Sequence, residues 1–284
     1  MGITDAWMVI VNPKAGNGQV LRDWPVISNQ MYRCGLSFTC LFTEHKHHAV
    51  ELVVKAINDG YRNIVAVGGD GTIHEVVNGI FIQKTVQSTD IFLAVIPIGS
   101  YNGRIRMYGI SRTCSEAVKS LVEKRTVLQD VAKVSFYETK VQHTRYMANI
   151  AGLGYDAAVN LQYNRLKDEG KYAKWRHVCN TIKTFLKYSP VRLSFQADGM
   201  EFYSGKVFSA TVGIGKNDSL LELSIQKKSV RPSSIIQAQC RRIDVEGWPQ
   251  SRIEIDGEMV GKSPFTFEIV PQAIKVVVGV NYLP

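Results

Sequence analysis

The chain has 284 residues, 45% of them hydrophobic and 21% charged, with a net charge of +9. That length holds one large domain or two ordinary ones, and that composition argues against disorder. The basic excess suits nucleic acid, anionic membrane or polyphosphate ligands, although a merely basic surface is the plainer account, and no Lys/Arg block interleaved with aromatics marks a nucleic-acid groove.

In chain order, residues 6–11 (AWMVIV) predict a strand that ends in NPKAGNG, Asn12 to Gly18. Residues 19–33 predict a helix with Val20, Trp24, Ile27 and Met31 near one face. A second strand over 36–42 precedes a helix over 47–59, which carries Val50, Val53, Val54 and Ile57 at helical spacing. A third strand, 63–68, stops at GGDGT, Gly68 to Thr72. There Ile73, Val76, Val77 and Ile80 fall on one face of the following helix. A fourth strand over 91–96 ends in PIGSYNG, Pro97 to Gly103, and a helix over 115–124 closes the series. Strand–helix alternation with short connections implies a parallel sheet covered on both faces.

After about residue 127 the pattern changes. Residues 131–137, 145–150, 191–197, 202–212, 221–226, 253–255, 265–269 and 274–280 read as strands, several with period-2 alternation. Asp198-Gly199 is a hairpin signal, and one helical stretch at 171–188 interrupts the strands. The expected division is an α/β domain over 1–126 and a β-rich sandwich over 127–284, with the last strand or two free to return to the first domain.

The five cysteines, Cys34, Cys40, Cys114, Cys179 and Cys240, contain no Cys-x-x-Cys pair. They suit a reducing compartment better than a zinc knuckle or disulfide framework. No apolar run approaches the roughly 18–20 residues of a spanning helix, and no signal peptide is visible at the N-terminus. The expected location is cytoplasmic, peripheral at a membrane.

Ligands of open parallel sheets bind beyond the carboxyl ends of the strands. Three such ends here are glycine-rich. Glycine lets the backbone turn with positive φ and approach a ligand closely, and helix N-termini attract anions. One such loop is explained by a tight turn; three in one domain point to a phosphate site, with Lys14 adding charge. Neither a P-loop nor a G-x-G-x-x-G fingerprint occurs. Asp70 discriminates: a carboxylate facing phosphates needs a divalent cation between them or a proton to handle. Its plainer role is to cap the helix that begins near Thr72.

NPKAGNG, LFTEHKHHAVELV, VAVGGDGTIHEVVNGI and IPIGSYNGR together resemble the diacylglycerol kinase catalytic domain, a family that includes bacterial lipid kinases and sphingosine kinases. The resemblance continues through ANIAGLGYDAAV, NDSLLELSI and IEIDGEMV, nearly the whole chain in order. GGDGT alone is shared with NAD kinases. The resemblance implies an N-terminal α/β nucleotide domain of NAD kinase/diacylglycerol kinase type, a C-terminal β-sandwich, and a kinase of a lipid hydroxyl using ATP and Mg²⁺. It implies nucleotide contacts at Asn12, Lys14, Gly16, Gly18, Thr43, Gly69, Asp70, Gly71, Thr72, Ile73, His74, Glu75 and Ser100. Asp256 and Glu258 are the matching candidates for proton transfer, with Asp70 on the metal–phosphate side. A lipid alcohol needs such a base, since its own pKa lies far above neutrality. Outside the resemblance, Asp256-Gly257 reads as a hairpin turn.

NDSLLEL matches a segment that in bacterial relatives holds a structural Mg²⁺, which would place Asp218 and the Leu220 carbonyl on a metal; Ser219 replaces the family's glycine and Asn217 its first acid. Gly103 also stands where many relatives carry Asp, and the stretches near 215–217 and 227–252 look short. His45, His47 and His48 read as solvated or nucleotide-adjacent rather than as metal ligands. The expected partner is a lipid at the membrane surface, diacylglycerol first and a sphingoid base second, with a homodimer left open. The rival readings are a soluble NAD-type kinase and a non-catalytic nucleotide- or lipid-binding module.

Overall fold

A computed structural model describes residues 4–98, 108–110, 113–155, 157–159, 188–215, 219–227 and 235–282. The chain divides into two compact units, one of Met1–Asp130 with Pro271–Pro284 and one of Val131–Val270. The predicted helix over 171–188 lies, but for its last residue, outside the described residues, as does the Gly103 departure.

The first unit is a parallel sheet. Strands β1 (Trp7–Val11) and β3 (Asn63–Gly68) are buried along their whole length. That is the environment a continuous apolar run needs when helices cover both faces. β2 (Phe38–Phe42) pairs with β1, and β4 (Phe92–Pro97) with β3, all in parallel. The order is therefore β2-β1-β3-β4. The far end of the long strand β15 (Glu258–Val277) adds beside β4 in parallel, Lys275 opposite Phe92.

Helix α1 (Ala15–Arg33) links β1 to β2, α2 (His48–Asn58) links β2 to β3, and α3 (Asp70–Ile82) links β3 to β4. The chain steps one way along the sheet through α1 and the other way through α2 and α3, so right-handed crossovers place them on opposite faces. Accordingly α2 packs on α3, while α1 packs on α4 (Cys114–Glu123). The predicted stripe Ile73, Val76, Val77 and Ile80 is buried. Left-handed backbone at Gly16, Asn17 and Gly18 interrupts α1 after Ala15, so its regular turns run from the predicted residue 19. Trp24 is half-buried, its ring edge-on to Phe38 and Phe42.

The second unit is antiparallel. β12 (Ile235–Cys240), β11 (Leu221–Gln226), β10 (Ser209–Ile214), β7 (Ile150–Gly154) and β14 (Arg252–Ile255) lead to the start of β15. β9 (Met200–Val207), β8 (Val191–Ala197) and β13 (Arg242–Trp248) reach the middle of the same strand, beside β5 (Thr126–Glu138) and β6 (Val141–Met147). Their inner positions, among them Leu193, Phe195, Leu223, Ile243, Val245, Phe265 and Phe267, form one core.

Several strand boundaries differ from expectation. The predicted strand at 145–150 is the end of β6 and the first residue of β7, and that at 202–212 is β9 and β10 broken at Phe208. The segments at 265–269 and 274–280 belong largely to one 20-residue strand. The stretch 227–252, which looks short, holds β12 and β13. Near the start of β15, Gly261 (φ 35°) interrupts the register, and a Cβ there would lie 2.1 Å from the Phe136 ring. Only glycine lets the strand bend over that aromatic.

Candidate functional site

Parallel register lines up the strand ends. Val11 stands opposite Phe42 and Val67, and Gly68 opposite Pro97. Asn12, Thr43, Gly68 and Pro97 therefore form a row along the carboxyl edge of the first unit. The strand order reverses between β1 and β3, the crevice in which open sheets of this kind hold their ligands. At that reversal the Asn12 amide donates to the Val67 carbonyl at 3.1 Å. Asn12 Nδ2 donates to Thr72 Oγ1 at 3.0 Å.

The loop after β1 is organised by Asn12. Its Oδ1 accepts the Lys14 amide at 3.1 Å and its carbonyl the Ala15 amide at 3.1 Å. Gly16, Asn17 and Gly18 then have φ of 60°, 56° and 79°. Three successive left-handed residues present bare backbone at the edge, which two glycines and an asparagine tolerate best. Lys14 is exposed, its Nζ 3.5 Å from the Glu44 carbonyl. Thr43 is buried, and its amide donates to the Val11 carbonyl at 2.9 Å.

The turn after β3 is packed against its own helix. A Cβ on Gly68 would lie 2.5 Å from Thr72 Oγ1. Gly69 occupies the N-cap position and Asp70 is the first helical residue, so Asp70 is not the cap that sequence allows it to be. The amides of Thr72 and Ile73 turn back to the Gly69 carbonyl at 3.0 and 3.1 Å. The first-turn amides of Asp70 and Gly71 lie at the positive end of the helix dipole.

Gly69, Asp70 and Gly71 are half-exposed, whereas the Thr72, Ile73 and His74 side chains are buried. Ile73 belongs to the core, and the His74 ring lies against Asn78 Nδ2. Glu75 acts on a neighbouring helix, its oxygens accepting the amides of His47 at 2.9 Å and Ala49 at 3.2 Å. It thereby caps α2, whose N-cap residue His47 is left-handed (φ 65°) and supplies no side-chain cap. Ser100 lies outside the described residues.

The His45 and His48 rings stack at 4.4 Å, and Glu51 brings a carboxylate within 4.8 Å of both. His48 Nδ1, however, accepts the Glu44 amide at 3.1 Å. A neutral imidazole that accepts at Nδ1 carries its proton on Nε2, which leaves no lone pair for a metal.

In the second unit, Asp256 and Gly257 form the two-residue turn between β14 and β15, with φ of 49° and 93°. Such a pair of left-handed residues is the preferred hairpin turn. The Asp256 side chain is buried. Its carboxylate accepts three backbone amides, Ala148 at 2.7 Å, Asn149 at 2.9 Å and Ile150 at 3.0 Å. It clamps the bend between β6 and β7. Glu258, the first residue of β15, is half-exposed. The Leu220 carbonyl accepts the Gly215 amide at 2.8 Å, while Asp218 lies outside the described residues. Ser219 is left-handed (φ 49°), the conformation in which a glycine would be unstrained.

Sequence reasoning places Gly68 in the GGDGT break but does not foresee that it packs directly on Thr72. It also misses the capping role of Glu75, which ties the start of α2 to the helix that follows it.

Residues 6–134 match the model of the diacylglycerol kinase catalytic domain. A Bacillus subtilis protein, YtlR, whose name assigns it provisionally to the lipid kinases, is 33% identical over 54% of this chain and 49% of its own length. A diacylglycerol kinase of Staphylococcus haemolyticus is 24% identical over 94% of this chain and 86% of its own. In fold, the chain is similar to a crystal structure of a diacylglycerol kinase from Bacillus anthracis, with a TM-score of 0.75 at 20% identity, covering 98% of this chain and 99% of that one.

Proposed function

We infer that this chain, whose residues 6–134 match the diacylglycerol kinase catalytic domain, is a lipid kinase that transfers phosphate from ATP to the hydroxyl of a membrane lipid, diacylglycerol first among candidates. The observation that carries this reading is the row of glycine-bearing loops at the reversal between β1 and β3, tied together by Asn12 and Thr72. Bare backbone at Gly16–Gly18, the first-turn amides of Asp70 and Gly71, and the cation of Lys14 suit a polyphosphate in chemistry and in placement. Asp70, half-exposed at the same helix start, suits the divalent cation that accompanies ATP. Mg²⁺, when bound there, supplies charge compensation for the phosphates.

The lipid hydroxyl must lose a proton as phosphorus is attacked. Glu258 is the better candidate for that proton than Asp256. What supports the choice is the burial of Asp256 and its three amide partners, which make it a positioning residue for the bend at 148–150. Asp218 and the Leu220 carbonyl remain the proposed structural Mg²⁺ ligands on the strength of the family resemblance.

The test is transfer of labelled phosphate from ATP over a panel containing diacylglycerol, monoacylglycerol, sphingosine, ceramide and NAD. Labelled phosphatidic acid is the expected product. Labelling of NAD alone, or of nothing, overturns the reading.

A further inference from the structure

We propose that Trp248, Arg192 and Lys206 form a docking surface for an anionic lipid bilayer. Trp248 is 58% exposed, second only to Met200 among the described large hydrophobic residues of the second unit. In the antiparallel register Trp248 stands opposite Arg192, and Arg192 opposite Lys206, so the three form one row across β13, β8 and β9. Residues opposite each other in such a ladder share a face, and Leu193, Phe195 and Val245 of the same strands are buried on the other. At the far end of this outer face, charge is compensated: Arg242 pairs with Asp244 at 2.8 Å and with Glu268 at 3.1 Å. At the Trp248 end, neither Arg192 nor Lys206 has a carboxylate partner among the described residues, and Glu246, one row inward, is the only exposed acid on that part of β13. From Trp248 the chain turns into Arg252, exposed and in register with an exposed Lys262.

An exposed indole flanked by uncompensated cations matches a phospholipid interface in its chemistry. The ring settles at headgroup depth, the long cationic side chains reach phosphate, and the anionic leaflet supplies the missing charge. A single-stranded nucleic acid would call for several aromatic platforms along a groove, and the row offers one. The inference rests on the lipid-kinase reading, since an enzyme whose acceptor is embedded in a bilayer must touch that bilayer.

The test is sedimentation of the full chain with mixed phosphatidylcholine–phosphatidylglycerol vesicles and with pure phosphatidylcholine vesicles. The wild type is expected to bind the mixed vesicles and to lose binding in high salt. Arg192→Gln with Lys206→Gln should weaken binding about 25-fold, each cation near an anionic leaflet being worth about fivefold. Trp248→Ser should weaken it about tenfold. Brominated lipid should quench the wild-type fluorescence more than that of Trp248→Phe, a change that leaves the fold intact. Turnover of short-chain diacylglycerol in detergent micelles should be the same in all variants. Equal vesicle binding by wild type and variants, no binding by the wild type, or preference for an oligonucleotide over vesicles overturns the docking surface and leaves the kinase reading standing. Loss of vesicle binding in the variants, with no lipid phosphorylated by the wild type, supports the surface and overturns the kinase reading.

Discussion

The side-chain amide of Asn12 donates to Thr72 Oγ1 at 3.0 Å and joins two loops that are 60 residues apart in sequence. The bond spans the reversal of strand order and holds the loop after β1 against the first turn of α3. Asn12→Ala and Thr72→Val each remove it. A net hydrogen bond is worth about 1 kcal/mol, so each variant should raise the KM for ATP by roughly fivefold to tenfold. Because the two share one bond, the double variant should cost little more than either alone. Steady-state kinetics on the four proteins of the cycle measures this, and full additivity would show that the bond does not couple the loops.

Gly68 is restricted by contact rather than by conformation. An added Cβ would meet Thr72 Oγ1 at 2.5 Å and Thr72 Cβ at 2.9 Å. Gly68→Ala should therefore displace the start of α3 and destabilise the first unit by about 1–3 kcal/mol, the usual cost of overpacking. Combining it with Thr72→Ala, which removes the clashing oxygen, should restore part of that stability in urea titrations without restoring nucleotide affinity.

Asp256 and Glu258 stand two residues apart and should differ in whether substitution costs stability. Asp256→Asn turns an NH₂ group toward the amides of residues 148–150 and leaves buried donors without acceptors. It should lower stability by about 2–4 kcal/mol as well as activity. Glu258→Gln should leave the unfolding midpoint nearly unchanged and reduce kcat on the order of 10²-fold or more. Calorimetry and initial rates on both variants separate the roles; a stable, inactive Asp256→Asn would exchange them.

Ser219 stands where the family resemblance expects glycine, and its φ of 49° lies in the left-handed region that favours glycine. A left-handed non-glycine residue costs about 1 kcal/mol. Ser219→Gly should therefore stabilise the second unit by about 0.5–1 kcal/mol, readable as a small rise in the midpoint of thermal unfolding. A fall in the midpoint would mean that the serine side chain contributes more than the strain costs.

The first unit was legible because its signals are local. An apolar run, a glycine break and a helical stripe recur along it, and β1 through β4 lie within two residues of where the pattern puts them. The second unit was less so. β12 and β13 alternate polar and apolar residues without a turn signal between Cys240 and Arg242. β15 passes through Gly261 and Pro264 without ending, because the glycine packs on Phe136 and the strand bends instead of stopping. At the site, the resemblance singled out Asp256 by its position in a motif. Its burial and its three amide partners depend on the fold of residues 148–150, more than a hundred residues earlier, and no local pattern announces them.

Burial, with the negative charge of Asp198 adding to it, pushes the Cys240 thiol up to about 11. At neutral pH its thiolate fraction is therefore about 10⁻⁴, and the thiolate is the reactive form. Exposed Cys34 should react with a thiol reagent in the native protein, while Cys240 reacts only after unfolding. The same shift has a sign in stability. In the unfolded chain the thiol ionises near pH 8.5, so between that value and about 11 the unfolded state has lost a proton that the folded state keeps. Stability attributable to Cys240 is complete below that window and falls as the pH rises through it, by about 3 kcal/mol. Urea titrations of the wild type and Cys240→Ala across that range test this: the difference between the two should shrink with rising pH, and a constant difference would mean that the thiol does not resist ionisation in the fold.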